Sequence, residues 1–432
     1  MSIQRIAAGS DRTSVWRDGR FRRLGGSVGI SLLGSEITVL ALPLAAVTVL
    51  DASAAQVALL ATVGTAPFLL LGLPAGAWVD RWPRRALMVR CDVVRGLLLA
   101  TVPLAHALGV LTLTHLYVVT FAVGALSVFF DVAVLSVLPA LVQRDRLSAA
   151  NGALEAARAG AQTSGPAAGG ILVQILSAPV AVLVDAVSFF ASALLLRGLP
   201  PLPAPPRPDR QTSMRRQVAE GLAYCLRSPM IRPLALGGAW LNFWTHALLA
   251  VFVPYAVRDL GLSAAVVGLV LALSNVGYLL GSLVVPWLNA QLGVGPAIVA
   301  GVALHGGLVA VALAPGGTPL PWLIAGFGLQ AMGAAIWNVD AVSLRQAATP
   351  EALLARMNAT NRFLLWGAMP LGAAAGGLLT TVAGLPAAVL VAAVAVPCCA
   401  VPLLGSGLRR VRAMPGPADE ETGSREVAAA SS

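Results

Sequence analysis

Residues 72–87 read GLPAGAWVDRWPRRAL, and they follow VALLATVGTAPFLLL, residues 57–71. The first run is apolar enough to lie in lipid, yet Asp80, Arg81, Arg84 and Arg85 crowd its end. Guanidinium groups do not enter hydrocarbon, so a helix that ends this way ends at a membrane surface, with its loop pinned on one side. The whole chain has the same character. Of its 432 residues, 57% are hydrophobic and 11% charged, and the mean hydropathy is +0.82. A soluble domain carries about a quarter charged residues. The polar surface here is too small to cover a globule, so lipid must cover it, and a soluble enzyme is excluded.

Spans need about 20 apolar residues. Runs of that length predict an all-α integral membrane protein of twelve helices, over residues 24–49, 55–79, 86–109, 115–140, 150–175, 178–197, 232–257, 264–288, 294–314, 320–344, 355–382 and 385–408. Arginine sets the orientation. Residues 1–23 carry six arginines and no apolar core of a signal peptide, so they read as a cytoplasmic tail. Arg81, Arg84 and Arg85, then Arg144 and Arg146, Arg345, and finally Arg409, Arg410 and Arg412 all fall on that same side. Both termini are therefore expected in the cytoplasm, the second as a tail over residues 409–432, in a bacterial inner membrane. Residues 198–231 are Pro-rich and basic at first, then helical in pattern. They read as a cytoplasmic linker between six-helix halves, 24–197 and 232–408.

The net charge of +10 is dealt out between greasy segments rather than gathered on one face, which argues against a nucleic-acid partner. Every basic residue is arginine. A phosphate-binding G-x-x-x-x-G-K loop is impossible without lysine, so ATP is not expected to drive the protein. Cys91, Cys225, Cys398 and Cys399 lack metal-ligand spacing, as do His106, His115, His246 and His305. No metal, cofactor, catalytic group or obligate protein partner is implied.

The halves repeat. An offset of 207 carries Asp131 onto Asn338, Ser136 onto Ser343, Leu147 onto Leu354, Asn151 onto Asn358 and Gly169-Gly170 onto Gly376-Gly377. An offset of 209 carries Gly72, Trp78 and Asp80 onto Gly281, Trp287 and Asn289. Duplicated halves of this kind place a substrate site between them near the bilayer midplane.

The opening stretch resembles the loop between helices 2 and 3 of the major facilitator superfamily, with Gly72, Gly76, Asp80, Arg81, Arg84 and Arg85 in place and Pro83 where that family has glycine. The resemblance implies a gate: Gly72 and Gly76 lie on one helix face where a neighbour can approach closely. Asp80 at the rim can lock one conformation by pairing with the other half. The plainer alternative is an anchor alone. Asp92 and Arg95, one turn apart, are expected in the same network. AGAQTSGPAAGG, residues 159–170, resembles the G-P-x-x-G-G motif of the superfamily's exporting, antiport-type branches through Gly165, Pro166, Gly169 and Gly170. Small-residue packing alone is the alternative. CDVVRG at 91–96 and residues 343–377 resemble bacterial exporters of the enterobactin-exporter and macrolide-efflux type. The fold that follows is the major facilitator fold, two pseudo-symmetric six-helix halves.

Ionisable groups inside spans are functional candidates. Glu36 lies about 18 Å into the first helix at 1.5 Å per residue, where a carboxyl can exchange a proton, serve as a paired structural acid or bind a cationic substrate. Asp131 and Asp340 are further proton-coupling candidates, with Arg158 and Arg362 as candidate partners. Asp185 is given no role. Asn242, Phe243, Trp244, Asn275, Tyr278, Trp337, Asn338, Arg362 and Trp366 combine flat apolar surface with hydrogen-bonding groups, as a pocket for an amphipathic solute would. The expected function is secondary active export of a small, moderately hydrophobic molecule, such as an antibiotic, siderophore or other metabolite, by proton antiport with the proton gradient as energy source. Import of a nutrient and a non-transporting membrane receptor or scaffold are the rivals.

Overall fold

A computed structural model describes residues 15–79, 81–143, 146–200 and 214–414. Asp80, Arg144 and most of the Pro-rich stretch lie outside the described residues. The first half consists of α1 (Gly19–Thr48), α2 (Ala54–Val79), α3 (Arg84–Ala107), α4 (Leu113–Leu141), α5 (Leu147–Leu176) and α6 (Ala178–Arg197). α7 (Met214–Arg227) lies between the halves in sequence. The second half consists of α8 (Ile231–Pro254), α9 (Ala264–Leu292), α10 (Val294–Leu304) with α11 (Leu308–Ala312), α12 (Pro319–Ala347), α13 (Glu351–Ala383), and α14 (Leu385–Ala395) with α15 (Ala400–Gly405). A π turn at Tyr255–Asp259 extends α8, and 3-10 turns at His305–Gly307 and Pro397–Cys399 join the two split rods. Among the described residues there is no strand.

Among the described residues, ten rods are long and apolar enough to cross a membrane. The other two of the expected twelve, α3 and α5, form as long helices but fall short of that apolarity. α3 carries Arg84, Arg85, Arg90, Asp92 and Arg95, and α5 carries Glu155, Arg158 and the polar run GAQTSG. Neighbours shelter them: α3 packs on α4 and α6, and α5 packs on α1 and α9. A polar helix can sit at membrane depth when protein or a water-filled cavity, rather than lipid, faces its polar side.

Local chemistry fixes the helix starts. Asp18 accepts a hydrogen bond from the Arg20 amide at 2.8 Å, and Thr112 from the His115 amide at 3.2 Å. Each satisfies an N–H that the first turn leaves open. The repeat is visible in the backbone. Ser177 and Gly384 are 207 apart, each closes a tight α–α turn, and both have positive φ, 91° and 83°. Glycine suits that conformation and serine does not. One buried cluster, around Phe21, Leu24 and Met88, belongs to the first half alone, and a larger one joins Leu44, Leu99 and Phe189 of the first half to Phe252 and Leu344 of the second.

Part of the linker is structured. α7 packs on α13: Glu220 pairs with Arg356 at 2.7 Å, Tyr224 donates to the Ala348 carbonyl at 3.1 Å, and Cys225 is buried with Ile231 and Met357. Burial pushes the Cys225 thiol above its ordinary range, with Arg345 pulling it back.

Candidate transport cavity and its two ends

The halves meet along two glycine seams related by the repeat. In the first, α5 is wedged between α1 and α9. A β-carbon on Gly165 would overlap the Glu36 side chain, and one on Gly169 would stand 3.2 Å from Ile37 Cα. A β-carbon on Gly170 would stand 2.5 Å from the Ala264 carbonyl oxygen, and one on Gly268 would overlap that of Pro166. In the second seam α13 is wedged between α8 and α2. Gly372 abuts Phe243, Gly376 abuts Ala247, and a β-carbon on Gly377 would stand 2.8 Å from Ala58 Cβ. Gly165 and Gly372 are 207 apart, and so are their partners Glu36 and Phe243. Where the first half sets the side chain of an acid on the glycine, the second sets the backbone of a phenylalanine.

The inter-half contacts run from mid-height to one end of the bundle. Asn275 donates to the Gln162 carbonyl at 2.8 Å, Phe68 meets Trp366 edge-on at 5.3 Å, and Arg258 pairs with Asp51 at 2.8 Å at the extremity. Toward the other end, which carries the arginine-rich loops, α5 shows an exposed stripe of Asn151, Glu155, Arg158 and Gln162. The space between the halves opens there. Asp51 is 98% exposed, and an ion pair so wet is worth about 0–1 kcal/mol. Arg258→Ala is therefore expected to leave thermal stability in detergent within about 1 kcal/mol of the parent. A larger loss would mean that the pair holds the fold rather than a conformation.

The predicted site residues divide into groups. Glu36 is half-buried on α1, and the Arg158 charge acts on it. Asp131 on α4 feels Arg95, Arg158 and Arg362. Arg362 lies 4.9 Å over the Trp366 ring, so the charged cluster and the Phe68–Trp366 contact form one lining. Asn275 joins α9 to Gln162 at the end of the exposed α5 stripe. Tyr278 and Asn338 are exposed. Asn242 donates to the Gly238 carbonyl of its own helix at 2.9 Å, and Trp244 is half-buried against Phe243 and Trp240.

Four expectations are corrected. Trp337 does not face a pocket: it is buried in the second half, where Gly237 and Gly238 leave room for its ring. Asp340 is not paired with Arg158 or Arg362. Asn289 of α9 donates to it at 2.7 Å, within the second half. Gly72 and Gly76 make no close crossing among the described residues, because the halves are apart at that end. The crossing on α2 occurs instead at Gly64, whose carbonyl oxygen would lie 2.5 Å from a β-carbon on Gly124. Asp92 and Arg95 do not extend the loop network toward the surface. They form a buried ion pair, Ser192 donates to Asp92 at 2.5 Å and contacts Ser27 at 2.7 Å, and Arg95 donates to Ser127 at 3.1 Å between the rings of Phe130 and Phe189.

The loop arginines brace their own half. Arg84 donates to the Ser136 carbonyl of α4 at 3.0 Å, and Arg85 donates at 2.5 Å to the Arg197 carbonyl, one of those that the last turn of α6 leaves open. Arg81 is exposed beside Trp78 and Trp82. In the second half the corresponding turn has no arginine. The C-terminal segment supplies one, as Arg412 donates to the Leu292 carbonyl at 3.1 Å. The sequence reading missed Phe68, Gln162, Gly268 and the Asp51–Arg258 pair. The last was findable, since 51 and 258 differ by the repeat offset.

A family model described as transmembrane secretion effector, a major facilitator group, matches residues 14–428. An enterobactin exporter, EntS, of Citrobacter koseri is 28% identical over 77% of this chain and 77% of its own. The multidrug efflux pump Tap of Mycolicibacterium fortuitum is 28% identical over 83% of this chain and 88% of its own. Among solved structures, an inward-facing bacterial homologue of the iron transporter ferroportin superposes with a TM-score of 0.69 at 20% identity, covering 90% of this chain and 99% of that one. An inward-facing, unoccupied bacterial homologue of the lysosomal transporter Spinster gives 0.65 at 17% identity over 93% and 97%. With two six-helix halves, two glycine seams and a match along nearly its whole length, the chain belongs to the transmembrane secretion effector family of major facilitator transporters.

Proposed function

We propose that the protein exports a small, moderately hydrophobic molecule across the bacterial cytoplasmic membrane in exchange for protons, by alternating access between its halves. The carrying observation is the seat of Glu36. Its side chain rests on Gly165 of the G-P-x-x-G-G helix, and four to five residues further along that helix Gly169 and Gly170 pack on α1 and on α9 of the opposite half. An acid in this place touches the same helix that must roll when the outer seam parts, so its protonation state and the seam are mechanically linked. Arg158 and Arg362 share the space with Glu36 and Asp131, so proton uptake by either acid changes how strongly it holds an arginine. Trp366, Phe68 and Asn275 supply ring faces and an amide for an amphipathic solute. The kinship with an enterobactin exporter and a multidrug efflux pump supports the outward direction. The arginine-rich end is the cytoplasmic face in this reading.

The test uses an efflux-deficient bacterial host and a panel of antibiotics and dyes. The wild-type protein is expected to lower accumulation of at least one compound. A protonophore and Glu36→Gln should each restore it, whereas Asp259→Asn, exposed in the turn that ends α8 and away from the cluster, should not. Efflux that persists in Glu36→Gln at equal expression removes Glu36 from the coupling path. Efflux indifferent to the protonophore removes proton antiport.

A further inference from the structure

A groove of about 550 Å³ runs along the outside of the second half, between α8 and α15. It begins at Pro229 and Arg232 and ends at Trp240, with Leu236 on one wall and Leu403 on the other. Arg232 is the charged residue among those that line it. It is exposed, as are Leu236 and Trp240, and the described residues give Arg232 no acidic partner. Arg409 and Arg410 follow Gly407, which closes the same rim, with Leu408 between. From Arg232 to Trp240 is eight residues of helix, about 12 Å, so the cationic rim and the apolar floor stand apart as a headgroup and an acyl chain do. The rim lies at the end of the bundle taken above as cytoplasmic, where the leaflet is anionic.

We propose that the groove is a binding site for one anionic glycerophospholipid, whose phosphate sits on Arg232 and whose acyl chain runs over Leu236 toward Trp240. The geometry suits a lipid better than a soluble ligand, because the groove is open along its side to the bilayer and polar only at its mouth. Charge selects the headgroup: a zwitterionic lipid brings its own cation to a rim that already has arginines. A neutral tail alone would leave Arg232 without a counter-ion at the interface.

The experiment needs no transport substrate. The full chain is placed in phosphatidylcholine nanodiscs doped with a dibrominated lipid, either phosphatidylglycerol or phosphatidylcholine at the same mole fraction. Quenching due to Trp240 is read as the difference between the parent and Trp240→Phe. We expect about fivefold stronger occupancy by phosphatidylglycerol, the preference that one arginine near a charged surface supplies. Arg232→Gln should abolish the preference and Arg232→Lys should keep most of it. Equal quenching by the two lipids in the parent overturns the proposal, and so does a preference that survives Arg232→Gln. Protection of Trp240 from both lipids, with a particle mass of two chains, assigns the groove to a second copy and overturns it equally. Failure of the export reading leaves all of these outcomes unchanged.

Discussion

Gly268→Val is expected to stop transport almost completely while leaving the protein inserted and folded. A β-carbon at this position meets the Pro166 carbonyl, a backbone atom of a facing helix that cannot swing aside. Overpacking of that kind costs about 1–3 kcal/mol, occasionally more. The cost falls only on the conformation in which α5 and α9 touch, since the glycine has no such neighbour once the seam parts. A differential of about 3 kcal/mol moves a two-state equilibrium by about 150-fold. The variant should therefore rest with its outer face open. Spin labels at Leu108 and Leu313, exposed positions at the outer ends of α3 and α11, report this in a cysteine-free background. Their separation should lengthen in Gly268→Val, shift partway in Gly268→Ala, and remain at the parent value in Gly160→Ala, because Gly160 faces open space on α5. An unchanged separation in Gly268→Val would mean that the seam is not the closing surface.

The second large effect concerns stability. Asp92 and Arg95 are both buried, bonded to each other, to Ser192 and to Ser127, and capped by two phenylalanine rings. Removing one partner of a buried pair leaves the other charge uncompensated, at about 3–5 kcal/mol, whereas replacing both by neutral groups of similar volume is often close to harmless. Arg95→Met and Asp92→Asn should each lower the detergent unfolding midpoint sharply, and the double variant should recover most of the loss. Arg95→Lys should behave as a loss too, because a lysine cannot reproduce the planar stacking between Phe130 and Phe189. Single variants that cost under about 1 kcal/mol would show that water reaches the pair.

These two sites mark how far the sequence could be read. Helix positions were legible because lipid imposes a length and an apolarity on each rod. The repeat was legible because its polar identities stand out against an apolar background. The contacts across the halves were not legible, because they depend on which end is closed. Gly72 and Gly76 have the spacing of a close crossing, but spacing does not say whether a neighbour is present. Gly268, in VVGLV, has no such spacing and makes the tighter contact. Trp337 was misread for a related reason: an indole suits a pocket, an interface or a core equally well, and only the two glycines opposite decide it. Asp131 and Asp340 looked alike in sequence. Arginines of three other helices, α3, α5 and α13, act on the former, and an asparagine holds the latter.

The Asp51–Arg258 pair bears on how the halves recognise each other. The two positions are equivalent under the repeat, and they meet at the outer extremity of the bundle, on the pseudo-two-fold axis. A residue on such an axis faces its own counterpart. Two first halves brought together would set aspartate against aspartate, and two second halves arginine against arginine. Only the unlike combination is attractive there, and like charges in contact disfavour the wrong partner. A duplicated protein whose halves had stayed identical could not make this distinction. Divergence at this one symmetric position therefore biases each half toward the unlike partner, by no more than the roughly 0–1 kcal/mol that so exposed a pair supplies.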